Sequence, residues 1–156
     1  HRVLIFSQFR GMLDRIEDEL PQLGLTSFKI TGSTPSQDRQ EMTKAFNKGD
    51  RDVFLISLKA GGVGLNLTGA DTVILVDLWW NPAVESQAIG RAHRMGQDQA
   101  VEVYRLVTRG TIEEKIQELQ EQKKNLVSEV LDGTESRGSL TLTEIQEILG
   151  ISQVRT

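Results

Sequence analysis

The sequence predicts an α/β fold in which a parallel sheet carries helices on both faces and a helical extension follows. Between residues 1 and 109, short runs of consecutive apolar residues alternate with segments of helical periodicity. Strands that are apolar throughout are typical of parallel sheets buried on both faces. From residue 110 to residue 156 the strand pattern stops and helical periodicity replaces it. We therefore expect a sheet domain at 1–109 and a C-terminal helical extension at 110–156.

Five segments are predicted to form the strands of this sheet. They lie at residues 3–6, 27–31, 53–57, 73–77 and 101–107. Parallel strands are joined by right-handed crossovers, and ligands bind at the carboxyl ends of such strands. The polar segments that follow the second and third strands are therefore expected at the ligand-binding edge.

Prolines, glycines and capping sequences delimit the helices between these strands. The first helix is expected to stop at Pro21, and its apolar residues recur at four-residue spacing: Met12, Ile16 and Leu20. The second is expected to begin with a capping box at 34–37 and to end near Gly49. The third is expected to begin at 81–82 and to end at Gly96.

The extension is predicted to contain one long helix and one short helix. A second capping box at 111–114 opens the long helix, and its apolar side comprises Ile112, Ile116, Leu119, Leu126 and Val130. Residues 132–139 are expected to form a flexible link, and residues 143–149 a short terminal helix.

Composition excludes several classes of protein. The chain has 156 residues, no cysteine and a formal net charge of −4, so disulfides and thiolate metal sites are excluded. No apolar run approaches the ~20 residues of a membrane span, so no membrane partner is expected. An acidic total argues against general nucleic-acid binding, although binding depends on where the basic residues lie. Because the chain opens on a core strand, we expect it to be part of a longer protein, and the lack of cysteine is compatible with an intracellular one.

The segment QAIGRAHRMGQ at 87–97 is the first candidate site. At 100° per residue, Gln87, Arg91 and Arg94 fall within an arc of about 60°, and Ala88 and Ala92 lie away from them, where they can pack on the sheet. One interpretation is a solvated helix face. The other is an arginine finger, because guanidinium groups suit phosphate oxygens and contribute ~10³–10⁵ in rate on a transferring phosphoryl group.

The glycines at 60–64 (AGGVG) are the second candidate site. Clustered glycines let backbone N–H groups approach a phosphate, but a tight turn explains them equally well. The P-loop pattern GxxxxGK[ST] is absent from the sequence, and the third glycine of a dinucleotide motif would fall at Leu67. Trp79 and Trp80 indicate either a contact with a partner or packing under loops. His93 lacks a second histidine in ligand spacing, so no metal is expected.

Taken together, the motifs resemble those of the SWI2/SNF2 ATPases of helicase superfamily 2. The matching segments occur in family order: VLIFSQF at 3–9, TGSTP at 31–35, SLKAGGVGLNLTGADTVI at 57–74, DLWWNP at 77–82 and QAIGRAHRMGQ at 87–97. The resemblance covers nearly the whole chain, and the last two segments are the most specific. It implies the second, C-terminal RecA-like lobe of an ATP-dependent translocase of double-stranded DNA that remodels protein–DNA complexes or chromatin.

The resemblance also implies roles for individual residues. Arg91 and Arg94 would be catalytic arginine fingers on an ATP that the N-terminal RecA-like lobe of the same protein holds with Mg²⁺. Gln87 would help to line the nucleotide cleft, and Gly62 and Gly64, also assigned to nucleotide binding, would belong to the motif that couples ATP state to DNA. The positions that match the DNA backbone track are Gln8, Ser33, Thr34, Lys59 and Asn66. The helix from Thr111 resembles the brace that crosses back onto the first lobe.

Further partners and alternatives follow from the resemblance. A DNA-bound protein would be the substrate, in the nucleus of a eukaryote or the cytoplasm of a prokaryote. A strand-separating helicase lobe would unwind a duplex that carries no protein, whereas the SWI2/SNF2 type moves without strand separation. A non-catalytic RecA-like interaction domain is a second alternative, which the arginine pair disfavours. A dinucleotide enzyme is a third, which titration with NADH tests.

Overall fold

The structure is a computed structural model that describes residues 1–57, 65–77, 82–92 and 100–130. The chain divides into two compact units, one of residues 1–77 and 83–106 and one of residues 78–82 and 107–156. The elements are β1 (Val3–Ser7), α1 (Arg10–Glu19), a 3₁₀ turn (Leu20–Leu23), β2 (Ser27–Ile30), α2 (Ser36–Asn47), β3 (Val53–Ser57), β4 (Thr72–Leu75), α3 (Pro82–Gly90), β5 (Glu102–Arg105) and α4 (Ile112–Val130).

The strands of the first unit form a single sheet in the order β2-β3-β1-β4-β5, and every adjacent pair is parallel. β1 is central, since Val3 is in register with Val53 of β3 and with Thr72 of β4. All five residues of β3 are buried, whereas β5 at the edge is mostly exposed. The predicted parallel α/β fold is therefore confirmed.

Successive side chains of a strand point to opposite faces of the sheet, and two hydrophobic clusters occupy these faces. One contains Phe46 of α2, whose ring meets the ring of Phe54 edge-on at 5.2 Å between centroids. The other contains Leu13 of α1 with Leu55 of β3. Helices thus cover both faces, as the sequence predicts.

The inward face of α1 differs from the prediction at one position. Met12 is 40% exposed, whereas Leu13 is fully buried. Leu13, Ile16 and Leu20 recur at spacings of three and four residues, and a period of 3.6 places them on one side of the helix while Met12 lies about 100° away. The packed face is therefore the one that contains Leu13.

Neither predicted capping box forms in its reciprocal arrangement. The Thr34 hydroxyl accepts a hydrogen bond from Thr31 N–H at 3.0 Å, so it stabilises the turn before α2 and does not cap the helix. At α4, the Glu114 carboxylate accepts from Gly110 N–H at 2.9 Å, and the Thr111 hydroxyl donates to the Thr108 carbonyl at 2.6 Å. At both helices, side chains that the capping motif assigns to the helix end instead form hydrogen bonds with backbone groups of the preceding turn.

The remaining boundaries differ modestly. β4 starts at Thr72 and ends at Leu75, and β5 spans four residues, where seven are predicted. The predicted link at 132–139 and the short helix at 143–149 lie outside the described residues. Within the described segments, none of the helices is both long and apolar enough to span a bilayer.

Lys29 joins the edge strand β2 to α1. Its ammonium group donates to Asp14 at 2.8 Å and also bonds to Glu17. The hydrogen bond from Lys29 lowers the pKa of Asp14 below its ordinary value of 3.8. The hydrogen bond with Asp14 is the main reason that the pKa of Lys29 is raised above 10.5.

We expect Lys29→Met to lower the urea midpoint in a pH-dependent way. A carboxyl group whose pKa is lower in the folded state stabilises the fold at pH values above its unfolded pKa, and this stabilisation is lost as pH falls through the folded pKa. A lysine whose pKa is higher in the folded state stabilises the fold below its unfolded pKa, and this stabilisation is lost as pH rises through the folded pKa. The difference from wild type should therefore be full between pH 3.8 and 10.5 and shrink outside that window. Lys48→Met, at an exposed lysine of α2's end, is the control. Equal effects of the two variants would contradict the role of the ion pair.

Candidate functional site

A groove of about 580 Å³ lies at the carboxyl edge of the sheet. It opens between the β1–α1 and β2–α2 connections, and the end of β3 contributes to it. Its lining residues are Gln8, Phe9, Arg10, Gly11, Thr31, Gly32, Ser33 and Ser57. The structure thus brings Gln8 and Ser33, two residues of the predicted DNA track, to one groove. Thr34 adjoins Ser33 but does not line it, and Asn66 belongs to a different connection.

Asp77 holds the β1–α1 connection through hydrogen bonds to Ser7 and Gln8. It follows β4 and is 4% exposed, and one of its carboxylate oxygens accepts from Ser7 Oγ at 2.7 Å and from Gln8 N–H at 2.6 Å. Ser7 Oγ in turn accepts from Phe9 N–H at 3.0 Å. The sequence analysis places Asp77 in the DLWWNP segment but gives it no role, although a carboxylate directly after a buried apolar run is a signal that could have found it.

Arg39 of α2 shapes the β2–α2 connection. Its guanidinium donates to the carbonyls of Thr34 at 2.8 Å, Thr31 at 3.2 Å and Gly32 at 3.2 Å. The hydroxyls of Thr31 and Ser33 lie 3.0 Å apart in a hydrogen bond. One half-buried cation therefore holds the turn that presents Ser33, and this residue too was missed from the sequence.

The predicted continuous helix is interrupted before Arg91, and its predicted end at Gly96 lies outside the described residues. α3 ends at Gly90, and Arg91 follows in a turn in which its N–H bonds to the Ala88 carbonyl at 3.2 Å. Glycine disfavours helix continuation, and the Arg91 carbonyl accepts from Leu67 N–H at 2.9 Å. Gln87 is exposed on α3, whereas Arg91 is half-buried in the turn after α3. The two side chains therefore do not share one helix face as the sequence predicts.

The alanines of this segment behave as the sequence predicts. Ala88 is 3% exposed and Ala92 fully buried, and both belong to the cluster that contains Leu67. The segment is therefore packed on the sheet domain on both sides of Arg91.

Residues 65–70 follow the glycine loop and are held by two side chains. The Asn47 amide donates to the Asn66 carbonyl at 2.7 Å and accepts from Gly69 N–H at 2.9 Å. Arg2 donates to the Gly69 carbonyl at 3.0 Å. Since Leu67 is hydrogen-bonded to Arg91, the segment after the glycine loop is joined directly to the arginine segment.

The side chain of Asn66 itself is unusual. Its Oδ1 atom is buried and, within the part of the chain that the structure describes, has no hydrogen-bond partner. Buried polar atoms without partners are rare in folded proteins, and a functional role is one of the explanations for them.

Several predicted site residues lie outside the described residues. These are Lys59, Gly62, Gly64, Arg94, Trp79 and Trp80. Among the residues that are described, no cluster of histidine and carboxylate side chains is suited to a metal ion.

The sheet and its edge define the class of protein: a RecA-like α/β lobe with polar connections gathered at the carboxyl ends of its strands. The family model "Helicase conserved C-terminal domain" matches residues 1–96. The chain belongs to this helicase family, as a C-terminal lobe of the SWI2/SNF2 type.

Individual relatives agree with that assignment. The TATA-binding protein-associated factor MOT1 of Saccharomyces cerevisiae is 47% identical over 136 residues, which are 85% of this chain and 7% of that protein. The human chromatin-remodeling ATPase INO80 is 46% identical over 134 residues, 85% of this chain and 9% of that protein. The chain therefore spans less than a tenth of either relative.

A solved structure gives the same result for the fold. The C-terminal part of the Fun30 ATPase domain superimposes with a TM-score of 0.72 at 37% identity, covering 92% of this chain and 41% of that one. The RecA-like fold expected from the motifs is thus confirmed.

We expect Gly69→Ala to destabilise the protein by about 1–3 kcal/mol, because overpacking strains a filled site. An added Cβ would lie 2.8 Å from Arg2 Nη1 and 2.8 Å from the Asn47 Cα atom, and the latter is backbone that cannot move aside. Urea denaturation measures the change. Gly11→Ala, whose Cβ would meet nothing within 4 Å, is the control and should leave the midpoint unchanged or slightly raised. Wild-type stability in Gly69→Ala would show that the contact between Gly69 and Asn47 is loosely packed.

Proposed function

We propose that this chain is the C-terminal ATPase lobe of a double-stranded DNA translocase that remodels protein–DNA complexes or chromatin. The observation that carries the proposal is the Leu67–Arg91 hydrogen bond of 2.9 Å. This bond joins the segment after the glycine loop to the candidate arginine finger. Such a connection lets the state of the bound nucleotide affect the contacts with DNA, as a DNA-dependent ATPase requires. Relatives named as a chromatin-remodeling ATPase and a TATA-binding protein-associated factor support the substrate class.

On the nucleotide side, Arg91 and Arg94 act as arginine fingers. Their guanidiniums contact the γ-phosphate of an ATP that the first lobe holds with Mg²⁺, and they stabilise the charge that develops during transfer. Gln87, Gly62 and Gly64 line the same cleft. Because the fingers reach the phosphate only when the two lobes close, ATP draws the lobes together and hydrolysis releases them.

On the DNA side, the sheet's carboxyl edge holds one strand of the duplex through its backbone. Gln8 and Ser33, which line the groove, donate to phosphate oxygens together with Thr34, Lys59 and Asn66. Backbone contacts carry no sequence information, and their strength falls with salt. Cyclic closure of two lobes that each grip the backbone becomes stepwise movement along the duplex.

The same proposal covers organisation and location. Residues 1–109 form the catalytic lobe, and residues 110–156 provide the brace helix and its extension. The partners are duplex DNA, the N-terminal lobe of the same protein and a DNA-bound protein. The similarity to a yeast TATA-binding protein-associated factor and a human chromatin-remodeling ATPase supports a location of this protein in the nucleus. In a prokaryote the corresponding location is the cytoplasm.

In the complete ATPase, Arg94→Ala and Arg91→Ala should each lower DNA-stimulated turnover about a thousandfold or more while ATP binding persists, because the fingers act on the transition state. Steady-state hydrolysis and titration with a fluorescent ATP analogue separate the two effects. Arg15→Ala, at an exposed arginine of α1, should retain both. Wild-type turnover in the two finger variants would remove their catalytic role.

The isolated chain of residues 1–156 should show no DNA-stimulated hydrolysis, because the P-loop lysine that a nucleotide needs is absent from its sequence. A phosphate-release assay on the purified chain, with circular dichroism to verify folding, makes the measurement. Measurable turnover would refute the two-lobe site. Strand separation by the complete enzyme would instead favour the strand-separating helicase.

A further inference from the structure

The groove at the carboxyl edge has a single charged side chain among the described residues that line it, that of Arg10. We propose that Arg10 is the phosphate-binding cation of this groove and contacts the DNA backbone directly. The inference rests on the proposed function and adds to it a residue that neither the motifs nor the family resemblance identified.

Arg10 is available for an external partner. It is exposed at the first position of α1, and within the described part of the chain it takes part in no ion pair. The acids nearest along its own helix are already used. Asp14, four residues on, bonds to Lys29 at 2.8 Å, and Glu17 bonds to the same ammonium.

Lys29 and Arg10 differ in whether a carboxylate neutralises them. Lys29 bonds to Asp14 and Glu17. Arg10 exerts only a lesser long-range effect on Asp14, whose lowered pKa is due first to the hydrogen bond from Lys29. The guanidinium of Arg10 is therefore left without a bonded carboxylate at the rim of the groove.

The surroundings suit a phosphate group. Gln8 and Ser33 line the same groove and supply neutral hydrogen-bond donors. The carboxylate of Asp77 is not part of the lining and already accepts from Ser7 and the Gln8 backbone. No described carboxylate therefore lines the groove to repel an anion.

The charge of the whole chain makes a local cation necessary. With a net charge of −4, the lobe has no general attraction for DNA, and affinity must come from cations placed on the track. A guanidinium binds phosphate in a two-pronged geometry that an ammonium does not reproduce. Arg10 is the described groove residue with that chemistry.

The test measures binding of a short fluorescein-labelled duplex of random sequence by the complete ATPase, over a series of KCl concentrations. Arg10→Ala should weaken binding about tenfold, as expected for loss of a charge-assisted hydrogen bond, and should reduce the slope of log affinity against log salt by about one. Arg10→Lys should recover most of the slope. Arg15→Ala, which removes the same charge from an exposed position of α1 outside the groove lining, should match wild type.

The outcomes separate this inference from the proposed function. An unchanged slope in Arg10→Ala, with tight binding by wild type, would overturn the role of Arg10 and leave the proposed function standing. Failure of wild type to bind duplex DNA would overturn both. Equal losses in Arg10→Ala and Arg10→Lys, with a lowered melting temperature, would assign Arg10 a structural role and also overturn the inference.

Discussion

Parallel pairing of β1 with both β3 and β4 is the constraint on which the candidate site depends. Strands that run in one direction end at one edge, so Ser7, Ser57 and the segment that contains Asp77 come together although they are distant in sequence. The connections that follow β1 and β2 then meet across a groove. An antiparallel arrangement of the same strands would scatter these residues over both edges of the sheet.

The connections at that edge are held by side chains because their backbone groups lack sheet partners. Buried or half-buried backbone N–H and C=O groups need hydrogen bonds. Asp77 supplies them to the β1–α1 connection, Arg39 to the β2–α2 connection and Asn47 to the segment before β4. Each of these side chains lies on a regular element or within two residues of one, so the loops are attached to the sheet domain at these points.

The junction between Leu67 and Arg91 has a mechanical consequence. Leu67 and Ala92 are both fully buried in one cluster, and a backbone hydrogen bond of 2.9 Å joins the two segments within it. A close-packed interior transmits displacement because it has few voids to absorb it. The arginine segment and the segment that follows the glycine loop are therefore packed and hydrogen-bonded together, with Asn47 as a second point of attachment.

By itself, the sequence determined the class of fold, the approximate positions of the five described strands and the helices on both faces, because apolar runs and periodicity are local patterns that burial imposes. Its motifs also determined the family. Tertiary structure decided that Leu13 and not Met12 packs inward, that α3 ends at Gly90, and that Asp77, Arg39 and Asn47 hold the site. Some of these contacts join residues up to 70 positions apart, and such pairings arise only once the strands lie side by side.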